Sequence, residues 1–356
     1  MIELDFSIDQ KSEDWILQAE TNLRKKNVEK WEIAIFSFIK EWYSQSKSIK
    51  INTSGSTGAP KMIEASREMM EISAQKTIEY FQLKKGNIAL LCLSADYIAG
   101  KMMIVRAICG KMKLVCVKPS SRPLIELKDQ KFDFVAMVPL QVKTMIDEGE
   151  QFSQINHLLI GGGAISLSLQ KKLQQVDCRV YESYGMTETV SHIALRKING
   201  MEKQNAFYPL QGVEIQLNKK KCIIISAKDL LGEKVLVTHD LGEMFDDGSF
   251  LINGRLDNII NSGGIKVCPE RAEALISSCV DGEFLISSCV DERLGECLVL
   301  VSEQKITDEI LLNINSILKL ACIPSIKKTK VINPLPRTKT QKIDRLRVKQ
   351  NLLKQN

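Results

Sequence analysis

The chain has 356 residues, of which 44% are hydrophobic and 26% charged, with a formal net charge of +6. At roughly 150 residues per domain this is room for about two domains with cores of their own, and it excludes a disordered tail protein, a collagen and a disulfide-stapled mini-protein. Ten cysteines without a C-x-x-C spacing and three histidines without an H-E-x-x-H pair give no support to a zinc, thioredoxin-like or zincin site.

The opening stretch, MIELDFSIDQKSEDW, is acidic and lacks a charged-then-apolar leader, so no signal peptide is expected. Trp15–Lys26 and Glu29–Ser46 read as helices, the second with Trp31, Ile35, Phe38, Ile39 and Trp42 near one stripe. A strand-like SIKINTSG then runs into the loop Thr53-Ser-Gly-Ser-Thr-Gly-Ala-Pro-Lys61. Its glycines let backbone approach an anion and its hydroxyls add donors, so a phosphate is a reasonable guest, although the loop is not a Walker A sequence.

Ser66 is a suitable N-cap for a helix reaching Leu83. Apolar strands at Ile88–Leu93, Leu114–Val117, Phe134–Val138 and His157–Ile160 alternate with helical stretches near 101–109, 140–147 and 166–174. That alternation predicts a parallel sheet with helices on its faces, binding ligands beyond the carboxyl ends of its strands. Ile88 to Gly110 is the most apolar run, but Asp96, Lys101 and Arg106 interrupt it, so no membrane span is expected. Cysteines such as Cys92 and Cys116 lie in apolar runs and read as buried, reduced thiols of a cytoplasmic protein.

From about Gly212 the texture changes to short strands, VEIQL, KCIIIS, KVLVT and GSFLING, read as an antiparallel sheet or small barrel. After Gly254 come a helix (Glu270–Cys279), strands (Phe284–Ser288 and Cys297–Ser302), a helix (Thr307–Leu320) and a basic tail, a small α+β unit. The heptapeptide LISSCVD occurs at 275–281 and again at 285–291, too few copies for a solenoid. Between Lys327 and Lys354 ten Lys and Arg face one acid, Asp344, a net +9, so the rest of the chain carries −3. The cluster suits phosphates but lacks interleaved aromatics and any recognition motif, so no nucleic-acid partner is expected.

Three further motifs carry chemistry. Glu182-Ser-Tyr-Gly-Met-Thr-Glu188 offers a ring, a hydroxyl and a carboxylate suited to a base, a phosphate and Mg²⁺. Thr238-His-Asp240 is followed by Gly254-Arg-Leu-Asp-Asn-Ile-Ile-Asn-Ser-Gly-Gly264, pairing an acid for ribose hydroxyls with an Arg for phosphate. Leu335-Pro-Arg-Thr-Lys-Thr-Gln-Lys-Ile-Asp-Arg345 lies in the basic tail.

Together and in this order the motifs resemble the acyl-adenylate-forming superfamily, over about residues 50 to 345. TSGSTGAPK looks like its phosphate loop, YGMTE its adenine and magnesium motif, and THDLGE its ribose-binding motif. GRLDNIINSGG looks like its hinge and coenzyme loop, and PRTKTQK its catalytic-lysine segment. The resemblance implies an α/β fold: a large N-terminal part (1–253) with a parallel sheet and a small β-barrel-like subdomain, and a mobile α+β C-terminal domain (254–356).

It also implies ATP, Mg²⁺ and coenzyme A as the small-molecule partners of a carboxylic acid. Thr53, Ser54, Gly55, Ser56, Thr57 and Lys61 would line the ATP phosphates, and Tyr184 would stack on adenine beside Gly162 and Gly163. Thr187 would touch the α-phosphate, Glu188 the Mg²⁺, Asp240 the ribose with Arg255 close by. Asp257 would be the hinge, Gly263 and Gly264 would line the thiol path, and Lys342 would enter the site during adenylation.

The stretch before the phosphate loop is short for the family, which implies a truncated N-terminal subdomain. His239 stands for a usual Gly, Gln341 for the Gly before the lysine, and Arg271 for a customary Glu.

The acid itself is suggested by Tyr97 and Arg106. Tyr97-x-x-Gly100, with Arg106 six residues after the Gly, resembles the pattern of o-succinylbenzoate–CoA ligases of menaquinone synthesis, with Tyr97 in place of His. A desolvated spectator carboxylate needs a cation, which a fatty acid does not. Another aryl- or acyl-CoA ligase, and a catalytically weak adenylate-binding regulator, are the alternatives; Arg106 on a helix's solvent face would remove the reason for a dicarboxylate.

Overall fold

The computed structural model describes residues 1–44, 46–52, 62–127, 129–338 and 342–353. It contains two compact units, one of Met1–Ile165, Lys172–Glu214 and Ser226–Lys234, the other of Ser166–Lys171, Ile215–Ile225 and Val235–Asn356.

In chain order the elements begin β1 (Ile2–Asp5), α1 (Ser12–Leu23), α2 (Lys30–Tyr43), β2 (Ser48–Asn52), β3 (Met62–Ser66), α3 (Arg67–Tyr80), β4 (Ile88–Leu91) and α4 (Ile98–Cys109). They continue β5 (Lys113–Cys116), β6 (Phe132–Met137), α5 (Pro139–Asp147), β7 (Ile155–Ile160), α6 (Leu167–Leu173), β8 (Arg179–Gly185), β9 (His192–Lys197) and β10 (Tyr208–Pro209). The first unit is built on one sheet in the order β1-β5-β4-β6-β7-β8-β9-β10. Its central strands β5, β4, β6, β7 and β8 are parallel. The marginal pairings of β1, β9 and β10 are antiparallel.

The parallel sheet matches the expectation from alternating strands and helices. Ala89, Leu90, Leu91, Phe134, Val135 and Met137 are all buried, because a parallel sheet covered on both faces has no solvent side. Ser66 caps α3 as expected, its Oγ accepting from the Met69 N–H at 3.1 Å. On α2, Ile35, Phe38, Ile39 and Trp42 are buried, while Trp31 at its start is only half-buried. Five strands of this part escape the sequence reading: β1, β3 and β10, which are short, and β8 and β9, which flank the YGMTE turn.

The remaining elements are β11 (Glu214–Leu217), β12 (Cys222–Ser226), α7 (Lys228–Leu231), β13 (Val235–Met244), β14 (Phe250–Arg255), β15 (Ile260–Ser262) and β16 (Ile265–Val267). Then come α8 (Pro269–Ile276), β17 (Phe284–Asp291), β18 (Gly295–Ser302), α9 (Asp308–Leu320), β19 (Ile326–Val331) and α10 (Arg345–Leu353). The small barrel-like part expected after Gly212 is a four-stranded sheet, β11-β12-β13-β14. The C-terminal α+β part is a five-stranded sheet, β16-β15-β18-β17, with β19 parallel to β18.

Both faces of that second sheet are covered, and side chains alternate between them. Ile286, Leu298 and Leu300 pack with Ala272, Ile276, Ile314 and Leu318 of α8 and α9. Leu285, Cys289, Cys297 and Val299 pack with Leu335 and with Val348 and Leu352 of α10. The basic tail is therefore not a solvated coil. Lys327, Lys328 and Lys330 are exposed on β19, where they guard an edge strand, and α10 supplies a hydrophobic cover.

The two copies of LISSCVD fold differently. The first ends α8 and turns; the second lies within β17 with Leu285 and Ile286 on opposite faces. Context decides, because each copy buries its apolar residues against what surrounds it. All ten cysteines are free thiols; six are buried and Cys322 is exposed.

Candidate active site

Several expected site residues of the first unit lie just past the carboxyl ends of its parallel strands, the place where such sheets bind ligands, while Tyr184 lies near the end of β8 and Arg106 within α4. Gly161-Gly162-Gly163 follows β7, and Gly185 to Val190 follows β8. Tyr97 follows β4 as the N-cap of α4. Thr53, Ser54, Gly55, Ser56, Thr57 and Lys61 lie outside the described residues.

Thr187 and Glu188 fall on a single 3₁₀ turn, Thr187–Thr189. The turn is tight: a Cβ on Gly185 would sit 2.3 Å from Ser191 O and 2.5 Å from His192 Cα. Gly185→Ala is expected to destabilise the protein by about 1–3 kcal/mol through that backbone collision. Gly163→Ala, whose Cβ meets only Pro139 Cγ at 3.9 Å, should unfold like the wild type in the same urea titration. Equal midpoints for both variants would contradict the packing of the turn.

Glu188 is exposed, and its carboxylate makes no ion pair or hydrogen bond with another described residue, so it is open to a cation. Tyr184 is 8% exposed, its ring 6.2 Å from that of Phe207. Glu182, at the head of the same motif, is structural: it accepts from the Ile165 N–H (3.0 Å) and from Arg196 Nε (3.1 Å).

Arg106 is not on a solvent face. It is 2% exposed, on the side of α4 that looks toward α3 and the start of β9. Nε donates to Thr77 Oγ1 (3.1 Å) and Nη2 to Ser191 Oγ (2.5 Å), with His192 Nδ1 at 3.5 Å. Ser191 Oγ lies 3.3 Å from His192 Nδ1, and His192 Nε2 lies 3.3 Å from Thr77 Oγ1, which itself donates to Ser73 O at 3.1 Å. One set of protons satisfies the whole cluster: Ser191 donates to Nδ1, and Nε2–H donates to Thr77.

His192 is thus neutral, held well below the usual histidine range by burial and then by Arg106. Burial pushes the Arg106 guanidinium down to about 10, which leaves it charged at neutral pH. No described carboxylate pairs with it, and Nη1 reaches only Met103 Sδ at 3.6 Å. A buried cation without a counter-ion is costly, so this arrangement suits an anionic ligand. Thr77, Ser191 and His192 were not found from sequence; Ser191 and His192 follow the YGMTE motif directly, which was the available signal.

In the second unit Asp240 and Arg255 face each other across β13 and β14. Arg255 Nη1 lies 3.5 Å from Asp240 Oδ1 and Nη2 lies 3.3 Å from Asp257 Oδ2. His239, at the position of a usual Gly, brings Nδ1 to 2.7 Å from Asp257 Oδ1. Lys342 is close enough to feel this cluster. Its ammonium is pushed below the usual lysine range by desolvation first and by Arg255 second, with Asp240 opposing. Gly263 (φ +59) and Gly264 (φ +82) form the two-residue turn of the β15–β16 hairpin, which needs left-handed backbone at both places.

Among the described residues no group of three or more His, Cys, Asp and Glu side chains gathers to hold a metal, and no helix is long and apolar enough to cross a membrane.

A family model described as AMP-binding enzyme matches residues 42–222. The 2-succinylbenzoate–CoA ligase of Lactococcus lactis is 25% identical over 320 residues, covering 85% of this chain and 70% of its own length. An acyl-CoA synthetase (AMP-forming)/AMP-acid ligase II-like protein from Dyadobacter fermentans is 31% identical with a TM-score of 0.62, over 94% of this chain and 97% of that one. The O-succinylbenzoate coenzyme A synthetase of Bacillus subtilis, solved with ATP and a magnesium ion, superposes with a TM-score of 0.72 at 20% identity. That superposition covers 97% of this chain and 83% of the other, and is a likeness of fold.

Proposed function

From the premise that this chain belongs to the AMP-binding enzyme family, we propose that it is an AMP-forming acid–CoA ligase whose acid is o-succinylbenzoate. A carboxylate oxygen of the acid attacks the α-phosphorus of ATP, pyrophosphate leaves, and an acyl-AMP forms. The thiol of coenzyme A then attacks the acyl carbon, AMP leaves, and a thioester results.

The residues take these parts in the proposal. Thr53, Ser54, Gly55, Ser56, Thr57 and Lys61 hold the phosphates, as their sequence alone suggests. Tyr184, Gly162 and Gly163 hold adenine, Asp240 the ribose hydroxyls, and Arg255 supports the phosphate end. Thr187 donates to the α-phosphate. Glu188 takes the magnesium ion, which supplies positive charge to the polyphosphate. Lys342 places an ammonium where charge develops on the phosphoryl oxygens. Gly263 and Gly264 line the thiol path. The functional boundary falls at 253/254, with Asp257 as the hinge of a mobile C-terminal part.

The observation that carries the choice of acid is the buried, carboxylate-free guanidinium of Arg106, with Tyr97 at the head of the same helix. A dicarboxylate brings the missing anion; a fatty acid or benzoate does not. The test is pyrophosphate release with ATP across a panel of o-succinylbenzoate, benzoate and medium-chain fatty acids. Release with o-succinylbenzoate well above the others is expected. Preference for a monocarboxylate would replace the proposed acid, and ATP binding without release on any acid would favour a regulator.

A further inference from the structure

Lys342 opens one of two short facing segments, 335–338 and 342–345, each of which is clamped. Thr338 N–H donates to Lys342 O and Asp344 N–H to Pro336 O, each at 2.8 Å, and Arg337 and Ile343 form an antiparallel bridge. Leu335 is 2% exposed and packs with Val348 and Leu352. The first segment is held by the ion pair of Arg337 with Glu283. The other ends at Arg345, whose Nη1 donates to Glu273 Oε1 at 2.8 Å while Nη2 pairs with the second oxygen of the same carboxylate.

Glu273 is well placed to set the segment that carries Lys342. It lies on α8, and its Oε1 also accepts from the Ile286 N–H of β17 at 2.6 Å, so the carboxylate is fixed before it grips the arginine. Glu270, one turn earlier on α8, reaches Arg345 Nε at 3.8 Å. A two-pronged arginine–carboxylate pair sets direction as well as distance, which one point charge cannot do. The Lys342 residue is open to solvent along much of its length although its ammonium, near Arg255 and Asp240, is partly desolvated, so the backbone sets where the side chain starts.

We infer that Glu273, acting through Arg345, is a positioning residue that aims Lys342 at the reacting phosphate during adenylation. The inference rests on the ligase reading and on the role of Lys342 within it. Its chemistry is positional: a shift of about 1 Å in a reacting group costs on the order of 10²-fold in rate.

The test measures ATP–pyrophosphate exchange and, separately, thioester formation from supplied acyl-AMP and coenzyme A. Glu273→Gln, checked for folding by thermal melting, is expected to lose about 10- to 100-fold in exchange and less than about twofold in thioester formation. A merely structural residue would lower both together. The double variant Glu273→Gln with Lys342→Ala should exchange no more slowly than Lys342→Ala alone, within about twofold. Parallel loss in both half-reactions, or a further loss in the double variant, would overturn the clamp. Normal exchange by Lys342→Ala would overturn the role of Lys342 itself and the clamp with it. Should Glu273→Gln fail to fold, Glu283→Gln, at the clamp of the other segment, is judged by the same two ratios.

Discussion

Lys342→Ala is expected to slow acyl-adenylate formation by about 10²- to 10³-fold, the usual cost of losing one preorganised charge donor, while thioester formation from supplied acyl-AMP continues near the wild-type rate. Negative charge accumulates on the phosphoryl oxygens only in the first half-reaction, so only that step needs the ammonium. Desolvation and the neighbouring Arg255 push the lysine below its ordinary range, against the pull of Asp240. The alkaline fall in adenylation should therefore begin below the usual lysine range, because the ammonium is lost earlier as pH rises. Lys342→Ala should lack that limb. Equal loss in both half-reactions, or an unchanged alkaline limb, would remove Lys342 from the chemistry.

Arg106→Met is expected to raise KM for o-succinylbenzoate by about 10- to 100-fold, since hydrogen bonds to a charged group are worth about 1.5–3 kcal/mol. Activity on monocarboxylates should be spared, because they bring no second anion. Stability gives an independent reading. Arg106 is buried beside hydroxyls and a neutral imidazole rather than a carboxylate, and replacing a buried charge with an apolar side chain is often neutral or stabilising. Thr77 and Ser191 keep other partners, Ser73 O and His192 Nδ1. The melting temperature should therefore hold while KM rises. A sharp fall in melting temperature with KM unchanged would mark Arg106 as structural and leave the acid unassigned.

The parts of the fold that were legible had a local cause. Ser66 announces α3 because a cap hydroxyl serves an N–H three residues on, and the parallel sheet shows itself as apolar runs at regular intervals. The motifs around Gly185, Asp240 and Lys342 are readable because turns and charged pairs need particular residue types close together in sequence. What stayed hidden is made by distance. Thr77 and Ser191 meet Arg106 across 29 and 85 residues, and Glu273 meets Arg345 across 72. Nothing local marks such partners. Likewise β19 and α10 look like a charged coil, because only Ile326, Val348 and Leu352 of those two elements are buried. The repeated LISSCVD makes the same point from the other side, since one heptapeptide ends a helix in one place and builds a strand in another.

Acyl transfer through an adenylate leaves an isotopic mark. If the acid's carboxylate is labelled with ¹⁸O, its oxygen bonds to the α-phosphorus and stays there when the thiol cleaves the acyl carbon–oxygen bond. Mass spectrometry of a reaction containing labelled o-succinylbenzoate, ATP, magnesium and coenzyme A should find one ¹⁸O in each AMP, and thioester in equal amount. Label in inorganic phosphate with ADP as the other product, or AMP without label, would contradict the account.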